Sequence, residues 1–234
     1  MPAKTIEGAL DDIGVSPASI DGILITHEHS DHTSGAGVFS RRYDVPVYAN
    51  KGTWEAIGAK AGKIASGNAR IFDTGKEFYI EDIAVRPFAT PHDAAEPVGY
   101  ALHTGGKKAC VATDLGHFNR SILNEVDKAD IILVESNHDI DMLNAGKYPA
   151  YLKKRILSRK GHLSNDAAAD AVVQMCNRDI RRFILGHLSH ENNREDIAKS
   201  VVCGALESAG IKPGKDAMLG MAHRDRATGI FVID

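Results

Sequence analysis

Three histidines and two acids fall within the six positions His27-Glu28-His29-Ser30-Asp31-His32. Neutral imidazole and carboxylate are ligands for zinc, manganese or iron. In extended chain His27 and His29 are two apart and point to the same side. Asp31 and His32 follow in the turn, where the chain curls back. Such a stretch can offer two imidazoles to one metal ion, and a carboxylate and an imidazole to a second. The apolar residues in front, Ile23-Leu24-Ile25, read as a buried strand. The cluster therefore leaves the carboxyl end of a strand, where ligands gather in layered α/β folds.

The same device recurs along the chain. The strand-like run from Ile83 to Ala89 ends at Thr90-Pro91-His92-Asp93, and Lys107 to Ala112 ends at Thr113-Asp114. A carboxylate has two oxygens and can bridge two cations, which suits Asp114. Ala129 to Val134 ends in Glu135-Ser136-Asn137-His138-Asp139, and Arg181 to Leu185 ends at Gly186-His187. His117 reads as a residue of the surface or one behind the ligands.

His27-x-His29-x-Asp31-His32, followed by His92, Asp114 and His187, resembles the signature of the metallo-β-lactamase superfamily. The resemblance implies an α/β fold, the αββα four-layer sandwich, and a two-metal hydrolase. One ion would take His27, His29 and His92, the other Asp31, His32 and His187, with Asp114 bridging. Two such cations, roughly 3.5–4 Å apart, hold a hydroxide at neutral pH and polarise the group it attacks. The stretches 135–139, 161–165 (Gly-His-Leu-Ser-Asn) and 185–193 (Leu-Gly-His-Leu-Ser-His-Glu-Asn-Asn) narrow the likeness to the YycJ/WalJ-type metallo-hydrolases, bacterial cytoplasmic nucleic-acid exonucleases. Ser136, Asn137, Ser164 and Asn165 of these stretches are the candidate substrate contacts. The site is also similar to that of tRNA 3′-end processing nucleases, where a glutamate and a histidine protonate the leaving oxygen. Glu135 and His162 match those positions, and Asp31 would orient the nucleophile. In this family two or more strands precede the first helix, whereas this sequence begins at Met1-Pro2-Ala3. The resemblance therefore implies that the first N-terminal strands are lacking and that an apolar edge is left exposed. A homodimer is one arrangement that would cover it.

Composition sets the bounds. A length of 234 residues suits one domain, residues 1–234, and 43% hydrophobic with 25% charged residues is ordinary for a globular chain. No apolar run is long enough to span a bilayer. Three scattered cysteines fit a reducing cytoplasm. A net charge of −3 does not advertise a nucleic-acid binder, but bound cations and local basic patches can outweigh it. Aromatics are 6% and unclustered, unlike the stacking platforms of dedicated single-strand binders.

The remaining elements position these residues. Helices are expected at 3–14, 33–43, 51–60, 151–160, 165–177 and from 191 to about 209, and strands at 46–49, 69–72, 77–80, 98–103, 217–221 and 230–233. Residues 142–148 read as a loop, and Trp54 reads as packing. The expected function is a two-metal phosphodiesterase, a 5′→3′ exonuclease with DNA favoured and zinc or manganese as the metal. A hydrolase of a small phosphodiester or thioester, and a shortened metal-binding fold without catalysis, are the alternatives.

Overall fold

Ile6 and Leu10 recur at helical spacing and give α1 (Ala3–Asp12), which stops at Gly14, a residue at φ 71°. The computed structural model describes residues 1–58, 61–224 and 226–233. They fall into two compact units. The first holds Met1–Ala89 and Ala94–Tyr100, joined by the tail that ends at Val232; the second holds Thr90–Asp93 and Ala101–Arg224.

In the first unit, β1 (Ile23–Leu24) leads through α2 (Ser30–Thr33) and α3 (Ala36–Tyr43) to β2 (Val47–Asn50), α4 (Lys51–Ile57) and β3 (Ala69–Phe72). The three strands are parallel neighbours in the order β1-β2-β3, with Ile23 opposite Val47. The single helix expected over 33–43 is two, because Ser34-Gly35 interrupts it. The expected helix over 51–60 ends at Ile57; Ala59 and Lys60 lie outside the described residues. Ile25, Ala36, Val47 and Ala49 form one core cluster, with Ile23, Trp54 and Ile64 packed on it. Ala3, Phe39 and Val45 form another, covered by Ile6, Leu10, Ile20 and Tyr43. An antiparallel hairpin, β4 (Phe78–Ile80) and β5 (Ile83–Ala89), completes this unit's strands.

The chain passes to the second unit along β6 (Val98–Thr104), turns at Gly105-Gly106, and returns in β7 (Lys107–Ala112). Next come α5 (Arg120–Glu125), β8 (Ile131–Glu135), α6 (Ile140–Ala145), α7 (Ala150–Ile156), α8 (Asn165–Cys176), β9 (Arg182–Gly186), α9 (Glu195–Ser208) and β10 (Met218–Met221). Strands β7, β8, β9 and β10 are parallel neighbours in that order. Ile132, Val134, Phe183 and Leu185 are buried in these middle strands, whose near-continuous apolar sequence is that of a parallel sheet covered on both faces. The register aligns Ala112 with Val134 and Glu135 with Gly186. Asp114, Glu135 and His187 consequently leave one edge of the sheet, the carboxyl edge.

Three expectations for the elements are corrected. The loop expected over 142–148 is helical up to Ala145, as part of α6, started by Asp139, whose carboxylate accepts from the Met142 N–H at 2.8 Å. The basic helix is α7, ending at Ile156 rather than running to Lys160. Residues 230–233 form no strand; Ile230 and Val232 are 69% and 68% exposed, without a ladder partner to fix them.

Candidate metal centre

Within the first unit, four candidate ligands gather at the end of β1: His27, His29, Asp31 and His32. The Ile25 N–H donates to the Tyr48 carbonyl, the Tyr100 hydroxyl to the Ile25 carbonyl, and the Val98 N–H to the Thr26 carbonyl. The backbone is thus held up to the first histidine. Alternation then sorts the side chains. Glu28 turns away from its neighbours and accepts from the Ala95 N–H at 3.0 Å. His27 and His29 meet on the other side, Nε2 to Nδ1 at 2.9 Å, with rings edge-on. Thr26 Oγ1 lies 3.1 Å from His27 Nδ1 and 3.0 Å from His32 Nδ1, so one hydroxyl orients two rings. The Asp31 carboxylate, at the first turn of α2 and 67% exposed, lies 3.5 Å from His32 Nε2. Two nitrogens at about 2.0–2.1 Å from a tetrahedral ion sit roughly 3.3 Å from each other, close to the spacing of His27 and His29.

The second unit holds candidate ligands of its own, His92, Asp114 and His187. His92 Nδ1 donates to the Gly161 carbonyl at 3.0 Å, which leaves Nε2 as the ring's lone pair. His187 Nδ1 donates to Glu135 Oε1 at 2.8 Å, with the same consequence. Both Nε2 atoms face Asp114 Oδ1, at 3.8 Å from His92 and 3.5 Å from His187. Two nitrogen lone pairs directed at a carboxylate oxygen repel unless a cation lies among them, so the donor set fits a divalent metal. Asp114, Glu135, His162 and His187 each offer an atom within 4.8 Å of the others. Asp114 and His187 sit at φ 59° and 57°, the left-handed region that non-glycine residues rarely occupy. Such strain persists where the surroundings over-determine it, and both residues are candidate ligands.

Glu135 is the hub. Its side chain is fully buried, and both oxygens are saturated. Oε1 accepts from His162 Nδ1 at 2.7 Å and from His187 Nδ1; Oε2 accepts from the Leu115 N–H at 2.8 Å and the Leu163 N–H at 3.1 Å. Burial alone would raise the Glu135 pKa, but the charges and hydrogen bonds of His162 and His187 outweigh it and hold the carboxyl well below its usual range. Burial likewise pushes His162 down, yet the Glu135 carboxylate raises it on balance, favouring the imidazolium. Burial lowers His92 and so keeps it neutral, as a ligand must be. Sequence reasoning paired Glu135 with His162; it missed that the same oxygen also orients His187.

The other candidate contacts divide. Asn137 Nδ2 donates to the His187 carbonyl at 2.9 Å and so helps fix that turn. Ser164 caps α8, accepting from the Ala167 N–H. Ser136 and Asn165 are fully buried: Ser136 Oγ donates to Asn165 Oδ1 at 2.7 Å, and the amides of Asn165 and Asn193 pair reciprocally. Their polar atoms are satisfied inside the protein, as buried polar groups require.

Close backbone approach explains Gly161. A Cβ there would lie 2.0 Å from the Ile156 carbonyl oxygen. Gly161→Ala is expected to shift the acceptor of His92 and the backbone of His162 together. At least a tenfold loss of metal affinity, read by chelator competition, is the expected result, on the scale of losses at groups that orient ligands, about 10–100-fold.

His138 was read as part of a polar strand end; it is buried, and neither ring nitrogen has a hydrogen-bond partner among the described residues. Burial, aided by the His162 charge, pushes its pKa down to about 4. Between that value and the unfolded value near 6.5 only the unfolded chain binds the proton. The contribution of His138 to the stability of the metal-free protein therefore falls as pH drops through this window and levels below about pH 4, for a loss on the order of 3 kcal/mol. His138→Leu is expected to flatten that acid limb in denaturant titrations.

Comparison with known proteins supplies independent likenesses. Residues 11–188 match the family model described as the Beta-lactamase superfamily domain. The chain is 38% identical to the exodeoxyribonuclease YycJ of Bacillus anthracis, across 92% of this chain and 81% of that one. It is 37% identical to the exodeoxyribonuclease WalJ of Streptococcus pneumoniae, across 100% and 87%. Among solved structures, the metallo-β-lactamase fold protein YhfI of Bacillus subtilis aligns with a TM-score of 0.65 at 14% identity, covering 89% of this chain and 78% of that one. The Zn(2+)-bound PqqB of Methylobacterium extorquens aligns at 0.62 and 18% identity, covering 88% and 70%.

Proposed function

The chain belongs to the beta-lactamase superfamily, as a metal-dependent hydrolase of the YycJ/WalJ type with the metallo-β-lactamase fold, and from that premise we propose that it is a two-metal phosphodiesterase acting on nucleic acid. The preferred form of the reading is a 5′→3′ exonuclease with DNA as substrate, working in the cytoplasm as a single domain. No helix among the described residues is long and apolar enough to cross a membrane. A homodimer remains part of the proposal.

His27, His29 and His92 would hold one zinc or manganese ion; Asp31, His32 and His187 would hold the other, with Asp114 common to both. Such ions supply a Lewis acid for the phosphoryl oxygens and a water acidic enough to attack at neutral pH. The chain's own residues do the rest. Asp31 orients the attacking water by accepting its hydrogen bond. Asp114 holds its carboxylate opposite the ligand nitrogens. Glu135 fixes the His162 ring through Nδ1 and keeps its imidazolium form available. His162 Nε2 then delivers the proton to the departing sugar oxygen, which as an alkoxide would be a poor leaving group.

The observation that carries this reading is the 2.7 Å pair of Glu135 and His162, an imidazole held beside Asp114 and His187. Expulsion of an alkoxide has a clear use for such an acid; expulsion of a thiolate has little. The relatives named exodeoxyribonucleases support a DNA substrate.

The test compares turnover of an end-labelled single-stranded oligonucleotide, bis-p-nitrophenyl phosphate and a glutathione thioester, each with manganese or zinc added. Stepwise shortening of the oligonucleotide from its 5′ end is the expected result. Turnover of the thioester alone, or of none of the three, would overturn the reading.

A further inference from the structure

Residues 147–160 read Lys-Tyr-Pro-Ala-Tyr-Leu-Lys-Lys-Arg-Ile-Leu-Ser-Arg-Lys: six cations and no acid, in a chain whose net charge is −3. The segment comprises α7 and the turn after it, and it is tied to three of the loops that carry candidate site residues. The Arg155 guanidinium pairs with the carboxylate of Asp93, next to His92, with Nη2 to Oδ1 at 3.1 Å. His117, three residues after Asp114, donates from Nδ1 to the Arg159 carbonyl at 3.0 Å. Gly116 packs so closely on the same backbone that a Cβ would lie 2.3 Å from the Arg159 carbonyl carbon. The His162 N–H donates to the Ile156 carbonyl at 3.0 Å. The basic segment therefore borders this part of the site as a fixed wall, not as a loose loop.

Not every cation on it is available. Lys153 Nζ is bonded to the Asn144 carbonyl, and Arg155 is held by Asp93. Lys154, Arg159 and Lys160 are exposed, and among the described residues no acidic side chain pairs with them. Tyr151 has 75% of its surface exposed and is three residues before Lys154, hence on the same helix face. An exposed aromatic ring beside a row of free cations matches a single strand, in which an accessible base and successive phosphates alternate.

We propose that this wall is the strand-binding surface: Lys154, Arg159 and Lys160 meet backbone phosphates, and Tyr151 stacks on one base. The proposal deepens the phosphodiesterase reading and rests on it for the class of ligand. Duplex DNA would engage the cations but keeps its bases stacked away from the ring; an unpaired strand engages both, with phosphates on the cations and a base on the ring.

The test is binding of a fluorescein-labelled, cleavage-resistant phosphorothioate oligothymidylate to the metal-loaded full chain by anisotropy, across a series of salt concentrations. The triple variant Lys154→Ala, Arg159→Ala, Lys160→Ala is expected to bind at least about tenfold more weakly, with a log–log salt slope shallower by about 2, since each lost single-strand phosphate contact removes roughly 0.7. Tyr151→Ala is expected to weaken binding about tenfold with the slope unchanged. Both variants are expected to melt with the parent, because the replaced side chains are exposed. The parental slope in the triple variant, unchanged affinity in Tyr151→Ala, or no binding by the parent would each overturn the proposal. If the parent binds in this manner yet hydrolyses no oligonucleotide, the nuclease reading fails and the surface stands. If it digests strands while the triple variant binds as the parent does, the surface fails and the nuclease reading stands.

Discussion

Asp114→Asn is expected to reduce phosphodiester hydrolysis at least about a thousandfold, on the order of 4 kcal/mol of transition-state stabilisation. The reasoning starts from charge. Asp114 is 2% exposed, and its Oδ1 faces His92, His162 and His187 within 3.8 Å. Among the described residues it is the one carboxylate directed at both candidate ligand imidazoles of the second unit, His92 and His187. An amide keeps the shape but loses the negative charge, and half of its donor surface would point N–H groups at the metals. The fold has little reason to suffer. Asparagine accepts the left-handed backbone of position 114 about as readily as aspartate does. Initial rates on an end-labelled strand, with melting of the metal-free protein as the control for folding, check the prediction. Activity within tenfold of the parent would remove Asp114 from the ligand set.

Glu135→Gln is expected to damage both stability and rate. The parent carboxylate accepts four hydrogen bonds, two from imidazoles and two from backbone N–H groups. A glutamine has one acceptor oxygen, so two of those donors would face its NH₂ group inside the core. Breaking a buried charged network by removing one partner costs about 3–5 kcal/mol. The linkage has a definite sign. The Glu135 pKa is lowered by folding, so its contribution is present above the ordinary carboxylate pKa and is lost as pH falls through the folded value. The His162 pKa is raised, so its contribution is full below about 6.5 and is lost as pH climbs through the folded value. The variant should lose both dependences. Its alkaline limb for kcat/KM should also move to lower pH, because nothing then holds His162 as the acid. Denaturant titration and a pH–rate profile read the two effects separately. An unchanged alkaline limb would assign the leaving-group proton elsewhere.

Much of this site is legible in the residues because one device is used repeatedly. An apolar strand buried on both faces has no period to read, but its abrupt end in His, Asp or Glu marks the carboxyl edge of the sheet. Thus β1, β7, β8 and β9 announced His27, Asp114, Glu135 and His187 as residues at strand ends. What stayed hidden was set by tertiary contact. Nothing in Glu135-Ser136-Asn137-His138-Asp139 distinguishes the fully buried Glu135, Ser136 and His138 from a solvated turn; burial follows from the Asn165–Asn193 amide pair and the bridge between His138 and Ser164. Left-handed backbone at Asp114 and His187 has no signal beyond the tolerance of aspartate. The loop expected over 142–148 overlaps helix α6, whose capping residue, Asp139, is the local signal for its start. Residues 230–233 carry branched or aromatic apolar side chains throughout and are expected as a strand, yet a strand exists only where a neighbour supplies the ladder.

Metal content of the purified chain, by plasma mass spectrometry after loading with zinc or manganese and removal of the excess, tests the central claim most directly. Seven candidate ligands with one shared carboxylate predict two equivalents per chain, falling to one or fewer in Asp114→Asn. One equivalent or none in a folded parent would contradict the two-metal account.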